Sequence, residues 1–350
     1  MENIYNLPTV TLLESVNLFK SPASYLLDTF FSKKIATSNS SWVAIEYKKG
    51  KRLLAPYIVK GAKAITVDRE GSFSDLYKAP MIGVKRIITA EDLEMRTFGE
   101  TPVYSTMSGA DRANKIIAED LVEMQRMIAN KKNQMAAELL QTGKLLIEGF
   151  ADDGRTIKSD LIDFNFTNIF TVNASWAVAN TDIYKDIYNA VNKIAEDVGE
   201  LPDIMVIGKN VEQYILNNRT TKDWLMIPNA QYANFANLAP KYISPQVRYV
   251  GRINALGLEI YSYLETYYSK NGIVPFIDAD TAIIGIGGRG KQITGAVNLM
   301  EGGNWNSYAA EYVPHYTYSE KDNESSLALY SRFVPVPEVV DSWATLKVKP

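Results

Sequence analysis

The sequence predicts an α+β fold, and three observations carry that expectation. A strand-rich stretch with turn signals fills residues 42–88. A run free of glycine and proline, from Ala110 to Thr142, repeats its apolar residues at helical spacing. Residues 181–320 then alternate helix-like and strand-like segments. Extended arms, one long helix and a compact α/β module are what such a chain folds into.

The elements follow in order. "TLLESVNLFKSPASYLLDTFFS" holds two short apolar patches divided by Pro22, and the adjacent Phe30 and Phe31 leave one ring facing outward unless a neighbour covers it. A helix pair docked on its own chain and an arm lying on another subunit both fit. "WVAIEYKKGKRLLAPYIV" reads as strand, turn at Lys49-Gly50, strand. Glu70 to Ser72 give a second turn signal, and "MIGVKRIIT" closes the set. A hairpin this long cannot bury both faces alone and needs a partner surface. Thr89 and Asp92 suggest a capped helix start.

The strongest signal spans 110–141. Ala113, Ile116, Ile117, Leu121, Met124, Ile128, Met135 and Leu139 share one face of a 3.6-residue period. A helix of this length is roughly 48 Å long, more spine than ordinary globular helix. A second helix has Ile183, Ile187, Val191, Ile194 and Val198 on one face, stopped by Gly199 and Pro202. "DIMVIGK", "QVRYVGRI", "LEIYSYLETYY" and "TAIIGI" read as strands and "NVEQYILNN" as a helix. The tail "SLALYSRFVPVPEVVDSWATLKVKP" reads as strand, turn, strand, with Pro335 and Pro337 arguing for an edge or loop between them.

Composition narrows the function. The 350 residues carry a formal net charge of −3, against a strongly basic nucleic-acid binder. There is no cysteine, which excludes disulfides and thiolate metal sites. The single histidine, His315, excludes a multi-histidine metal centre and leaves one candidate base for nucleophilic catalysis. The 21 tyrosines suit half-buried surfaces and interfaces. The start, with Glu2 and no basic run before an apolar one, does not read as a signal peptide, and no stretch has the apolar length of a membrane span. A cytoplasm-like compartment is expected, without membrane contact.

The order of these segments resembles one family throughout: the lambda-type major head proteins of tailed bacteriophages. The resemblance rests on Thr11 to Ser15 leading into "DTFFSKK", on the segment from Tyr57 to Leu93 with its turn at Arg69, Gly71 and Ser72, on "FIDADTAIIG", and on "LALYSRFVPVPEVVDSWATLKV". It implies the HK97-type capsid fold. Residues 1–41 become an N-terminal arm and 42–88 an extended loop overlapping a neighbouring subunit. Residues 89–180 and 321–350 become a peripheral domain around the spine helix, and 181–320 an axial domain packed around capsomer axes.

The resemblance implies a structural protein without catalytic, cofactor or metal residues, self-assembling into hexamers and pentamers of an icosahedral shell around packaged double-stranded DNA. Inter-subunit contacts are expected at Lys63, Asp68, Arg69, Glu70 and Phe73 of the extended loop. In the arm they are expected at Leu18, Phe19, Phe30 and Phe31. The loop Gly287, Gly288 and Arg289 is expected near a subunit contact of the axial domain. With no long helical segment before the arm, a separate scaffolding protein is expected. A portal at one vertex and a decoration protein are further partners, and DNA inside the shell is held without sequence-specific contact. The virion capsid is the expected location, with assembly in the host cytoplasm. An encapsulin-like nanocompartment shell is the alternative.

A third reading comes from "TAIIGIGGRGKQIT". Gly285, Gly287 and Gly290 fit G-x-G-x-x-G, and Gly285, Gly290 and Lys291 fit G-x-x-x-x-G-K. Both patterns fail in context. No helix pattern follows Gly290, and Gln292 stands where a Mg²⁺-binding Ser or Thr is needed. A tight strand-to-loop turn is the favoured explanation. "YKKGKR", Tyr47 to Arg52, reads as a solvated turn before it reads as a DNA contact. Asp278 and Asp280 are too few for a cation site and suit a turn or cap.

Overall fold

The computed structural model describes residues 9–18, 22, 24–35, 37–49, 72–89, 109–150, 156–218, 225–226, 242–244, 246–269, 272–301, 303–319 and 324–350. Two short helices open the chain, α1 (Thr9–Leu18) and α2 (Tyr25–Phe30), with Pro22 between them. Strands β1 (Lys33–Lys34), β2 (Trp42–Lys48), β3 (Ser72–Lys78) and β4 (Met81–Thr89) follow. The spine is α3 (Gly109–Thr142), matching the expected helix almost residue for residue. A ribbon of β5 (Lys144–Phe150) and β6 (Thr156–Asp163) turns back from its end, and β7 (Ile169–Thr171) leads into α4 (Ile183–Val198). Asp182 caps α4 by accepting from the Lys185 amide, and Gly199 ends it at φ +79°, a left-handed position that glycine adopts freely.

Next come β8 (Ile204–Ile207), α5 (Lys209–Asn217), β9 (Leu225–Met226), β10 (Tyr242–Ser244), β11 (Val247–Ile253) and β12 (Leu258–Tyr263). A ribbon of β13 (Thr266–Ser269) and β14 (Gly272–Pro275) precedes β15 (Thr281–Gly285) and β16 (Gly290–Thr294). A second ribbon, β17 (Val297–Glu301) with β18 (Asn304–Tyr308), precedes β19 (Val313–Ser319), β20 (Glu324–Pro337) and β21 (Trp343–Lys347).

Two sheets organise these strands. The first has the order β1-β16-β20-β19, with β4 also on β20. The second has the order β10-β11-β12-β8-β15-β21-β7, with β9 on β11. Helix α3 backs the first sheet with Ile117, Leu121, Met124 and Ile128 against Ile88, Leu327 and Leu329, and α1 adds Leu12 and Val16. Further along, Met135, Leu139 and Leu140 join the core in which α2, β16, β20 and Trp343 meet. Helices α4 and α5 cover the second sheet with Ile187, Val191, Ile194, Val211 and Ile215. The apolar stripe read from the sequence is therefore one continuous seam serving both halves.

Four expectations need correction. Strand β4 is not loop: it pairs along Met81–Thr89 with Arg332–Glu324 of β20, so only β2 and β3 of the 42–88 stretch form a separate ribbon. The boundaries at 180 and 320 do not match the sheets. Strands β16 and β19 belong with β20, whereas β7 and β21 belong with β15. "LEIYSYLETYY" breaks at Leu264-Glu265 into β12 and β13.

Finally, Pro335 lies within β20, which ends on Pro337, so the turn comes after the prolines; the expected edge is there, since among the described strands residues 333–337 pair with β16 alone. The register of β20 allows the prolines. Gln292, opposite Pro335, turns its carbonyl toward Ile35 of the β1 side, so Val334 and Val336 bond to β16 while the prolines face away. The capped helix start at Thr89 to Asp92 falls on the last residue of β4 and on residues outside those described.

Candidate functional site: the sheet crossing and the outward ribbons

Between β15 and β16 the chain crosses from the second sheet to the first. The glycine-rich loop is that crossing. A Cβ on Gly285 would meet Phe30 and Trp343 at 2.9 Å, and one on Gly290 would fall 2.2 Å from the Phe31 ring. Gly288 sits at φ +72°. Its amide donates to the Thr29 carbonyl at 2.8 Å, and the Gly287 amide donates to Asp203 Oδ1 at 2.9 Å. Arg289 pairs with Glu200.

A phosphate cradle needs unclaimed amides and a positive field. Here both amides are taken, one by a carboxylate, and strand β16 follows where a helix is required. The glycines make room for α2 and its two phenylalanines. This corrects the placement of Phe30 and Phe31 on a neighbouring subunit: both are buried in the chain's own core. Gly287, Gly288 and Arg289 are half-buried and bond to α2 and to the segment before β8.

Polar ties hold the spine where the halves meet. Ser24 donates to Asn133 Oδ1 at 2.7 Å, and Asn133 Nδ2 donates to Tyr263 at 2.6 Å and to Glu265 at 3.0 Å. Burial, then the nearby Glu265 charge, pushes the Tyr263 hydroxyl far above the ordinary tyrosine range. In the last turn of α3, the Leu140 carbonyl accepts from Trp343 Nε1 at 2.9 Å and from Thr345 Oγ1 at 2.6 Å. Those donors satisfy an end group that the helix itself cannot. Trp343 also stacks on Phe166, with ring centroids 4.5 Å apart. Lys132 is buried beside Glu311 at 2.9 Å, its ammonium 4.1 Å from the Tyr312 ring centre, and burial lowers its pKa.

The β2–β3 ribbon is anchored at its base. Lys48 bonds to the Glu338 carbonyl, and Lys49 lies 3.8 Å from Asp341. Burial raises the Asp341 carboxyl, opposed by Lys49 and assisted by Asp197. Val43, Ile45 and Tyr47 turn inward, with Tyr47 against Phe164, while Trp42 and Leu76 face out. Of the expected contact residues, Phe19, Lys63, Asp68, Arg69 and Glu70 lie outside the described residues. Leu18 ends α1, and Phe73 pairs with Tyr47 in the ribbon register. Asp280 accepts from Asn210, Tyr214 and Lys349, which makes it a structural tie. Among the described residues no cluster could hold a metal, and no helix is long and apolar enough to cross a membrane.

Other ribbons also carry apolar residues outward. Leu146 stands opposite Leu161, Tyr268 opposite Ile273 and Met300 opposite Trp305, all exposed. Sequence reasoning missed these pairs. The Gly302-Gly303 step between "NLME" and "NWNS" is the hairpin signal that points to the last of them.

A spine helix backing one sheet and reaching a second, helix-covered sheet, with an anchored ribbon at the side, is the HK97-type capsid architecture. The chain belongs to the phage major capsid protein E family, whose model matches residues 8–348. Among solved structures, a protein assigned as the capsid protein of a prophage of E. coli CFT073 is similar at a TM-score of 0.68 and 17% identity, covering 98% of this chain and 99% of that one. A phage-related protein from Bordetella bronchiseptica RB50 is similar at 0.52 and 11%, covering 96% of each chain. No curated protein sequence matches.

Proposed function

We propose that this capsid protein is the major head protein of a tailed bacteriophage or prophage, closing as hexamers and pentamers into an icosahedral shell around packaged double-stranded DNA. The observation that carries the reading is the family match across residues 8–348. Hexamers and pentamers are closed rings in which one patch meets a different patch on the next copy. The net charge of −3 supports a lining that encloses DNA without gripping it, because tight phosphate contacts come from clustered Lys and Arg.

In this reading the segment between β2 and β3 overlaps a neighbouring subunit through Lys63, Asp68, Arg69 and Glu70. The first sheet with α3 forms the peripheral part, and the second sheet with α4 and α5 the axial part. Assembly takes place in the host cytoplasm with a separate scaffolding protein and a portal at one vertex. The chain catalyses nothing.

Expression of the chain, with its scaffold where required, tests the reading by electron microscopy and light scattering. Shells, tubes or capsomers are expected. A stable monomer that binds ATP or NAD with micromolar affinity would overturn it. Replacing residues 51–71 by a two-residue turn is expected to leave the folded core intact and prevent sound shells. Normal shells from that variant would remove the overlapping role of the segment.

A further inference from the structure

Among the described residues, β13–β14 and β17–β18 are two-stranded ribbons that pair with no further strand. Such a ribbon is marginal unless one face leans on a core. For β17–β18 that face is Val297, Leu299 and Tyr308, packed with Val313 and Tyr330. Glu301 fixes it further, accepting from Thr9, from Tyr308 at 2.6 Å and from Asn306 at 3.3 Å.

The opposite face carries Asn298, Met300, Trp305 and Ser307. Met300 stands directly across from Trp305, and they are 57% and 73% exposed. The β13–β14 ribbon repeats the arrangement with Tyr268 across from Ile273, 85% and 62% exposed, flanked by Thr266 and Pro275. Among the described residues neither outer face holds a charged side chain, in a chain where 22% of residues are charged. A solvated tip carries charge, whereas the centre of an interface is depleted of it and enriched in Trp, Tyr and Met.

We propose that the Met300–Trp305 face of the β17–β18 ribbon docks on a second copy of this chain, with Trp305 as its anchor. The inference rests on the shell reading above. A face of four residues buries far less than the roughly 800 Å² per partner of a stable stand-alone interface. It suits one contact among many in an assembly that closes on itself, and copies of this chain are the molecules that supply the others. The ribbon is held rigid from beneath by the Glu301 bonds, so docking costs little ordering entropy.

The test compares wild type, Trp305→Ala and Trp305→Glu under conditions where wild type forms shells, by light scattering and electron microscopy. Because Trp305 is exposed, the unfolding midpoint of the unassembled chain is expected to stay put. The concentration for half-assembly is expected to rise roughly tenfold or more for Trp305→Ala, the effect of losing an interface hot spot. Trp305→Glu is expected to give no closed shells. The chain has no cysteine, so Ser307→Cys bearing a benzophenone reports this face alone. In assembled material it is expected to cross-link to a peptide of another copy. Assembly of Trp305→Glu like wild type overturns the docking while leaving the shell reading standing. Cross-links confined to the same molecule, or to a different protein, overturn it too. A wild type that stays monomeric at every concentration overturns both.

Discussion

Gly290 lies directly against the ring of Phe31, so close that a Cβ there would fall 2.2 Å from Phe31 Cδ1. The contact locks α2 onto the first residue of β16, where the chain passes from one sheet to the other. The same α2 tops Gly285 with Phe30.

Gly290→Ala is therefore an overpacking substitution, expected to cost about 1–3 kcal/mol. Denaturant unfolding of the unassembled chain measures it. Phe31→Leu in the same chain is expected to recover part of the loss, because the two residues touch. Strict additivity of the two substitutions would contradict the contact.

Asn133→Ala removes the group that links α2, α3 and β12. Ser24, Tyr263 and Glu265 each lose a partner, and Ser24 and Tyr263 are buried. Tyr263 keeps its bond to Glu265 at 2.6 Å, so the expected loss of about 1–3 kcal/mol comes chiefly from the buried Ser24 hydroxyl left without its acceptor. An unfolding midpoint equal to wild type would show that water replaces the side chain without penalty.

Glu301→Gln carries a pH signature. Burial pushes the Glu301 carboxyl up, but bonds from Thr9, Tyr308 and Asn306 outweigh it and hold the pKa below the ordinary 4.5. A lowered folded-state pKa gives stability that is complete above 4.5 and is lost as the pH falls through the folded value. The variant is expected to be less stable than wild type at neutral pH and to converge with it in acid. The hydrogen-exchange protection factors of α1, which Thr9 ties to Glu301, are expected to fall in the variant at neutral pH and in wild type on acidification. A gap that stays constant with pH would remove the assignment.

Asp341→Asn has the opposite sign. Burial raises the Asp341 carboxyl from 3.8, so its favourable contribution is present below 3.8 and fades as the pH rises through the folded value. The stability difference between the variant and wild type is expected to move in the variant's favour from about pH 4 toward neutral, measured by denaturant unfolding across that range. Movement the other way would mean that the Lys49 pair, at 3.8 Å, outweighs burial.

The spine helix, the helices α4 and α5 and most strands were legible because each follows its own period, 3.6 or 2, over enough residues to stand out. Ile117, Leu121, Met124 and Ile128 face β4 and β20 as the pattern requires. Strand partners were not legible. Nothing local in "MIGVKRIIT" says that it pairs with residues 324–332 rather than with the hairpin before it. Pro335 and Pro337 pointed rightly to an edge and wrongly to a turn at Pro335, because their effect depends on which side of β20 is paired, which sequence spacing does not encode. The glycine loop matched phosphate-binding patterns because a close approach of backbone to any bulky group asks for glycine, and here that group is a phenylalanine ring.

Strand β20 has a mechanical consequence. Its first nine residues are flanked by β4, and β19 pairs along most of that length, while its last five residues are held by β16. A pull directed along β20 loads all these ladder bonds in parallel, in shear, instead of peeling them one at a time. Tension reaching the β4 and β19 end of the first sheet is thus handed to its β16 end through a single unbroken length of backbone, without depending on the side-chain packing between them.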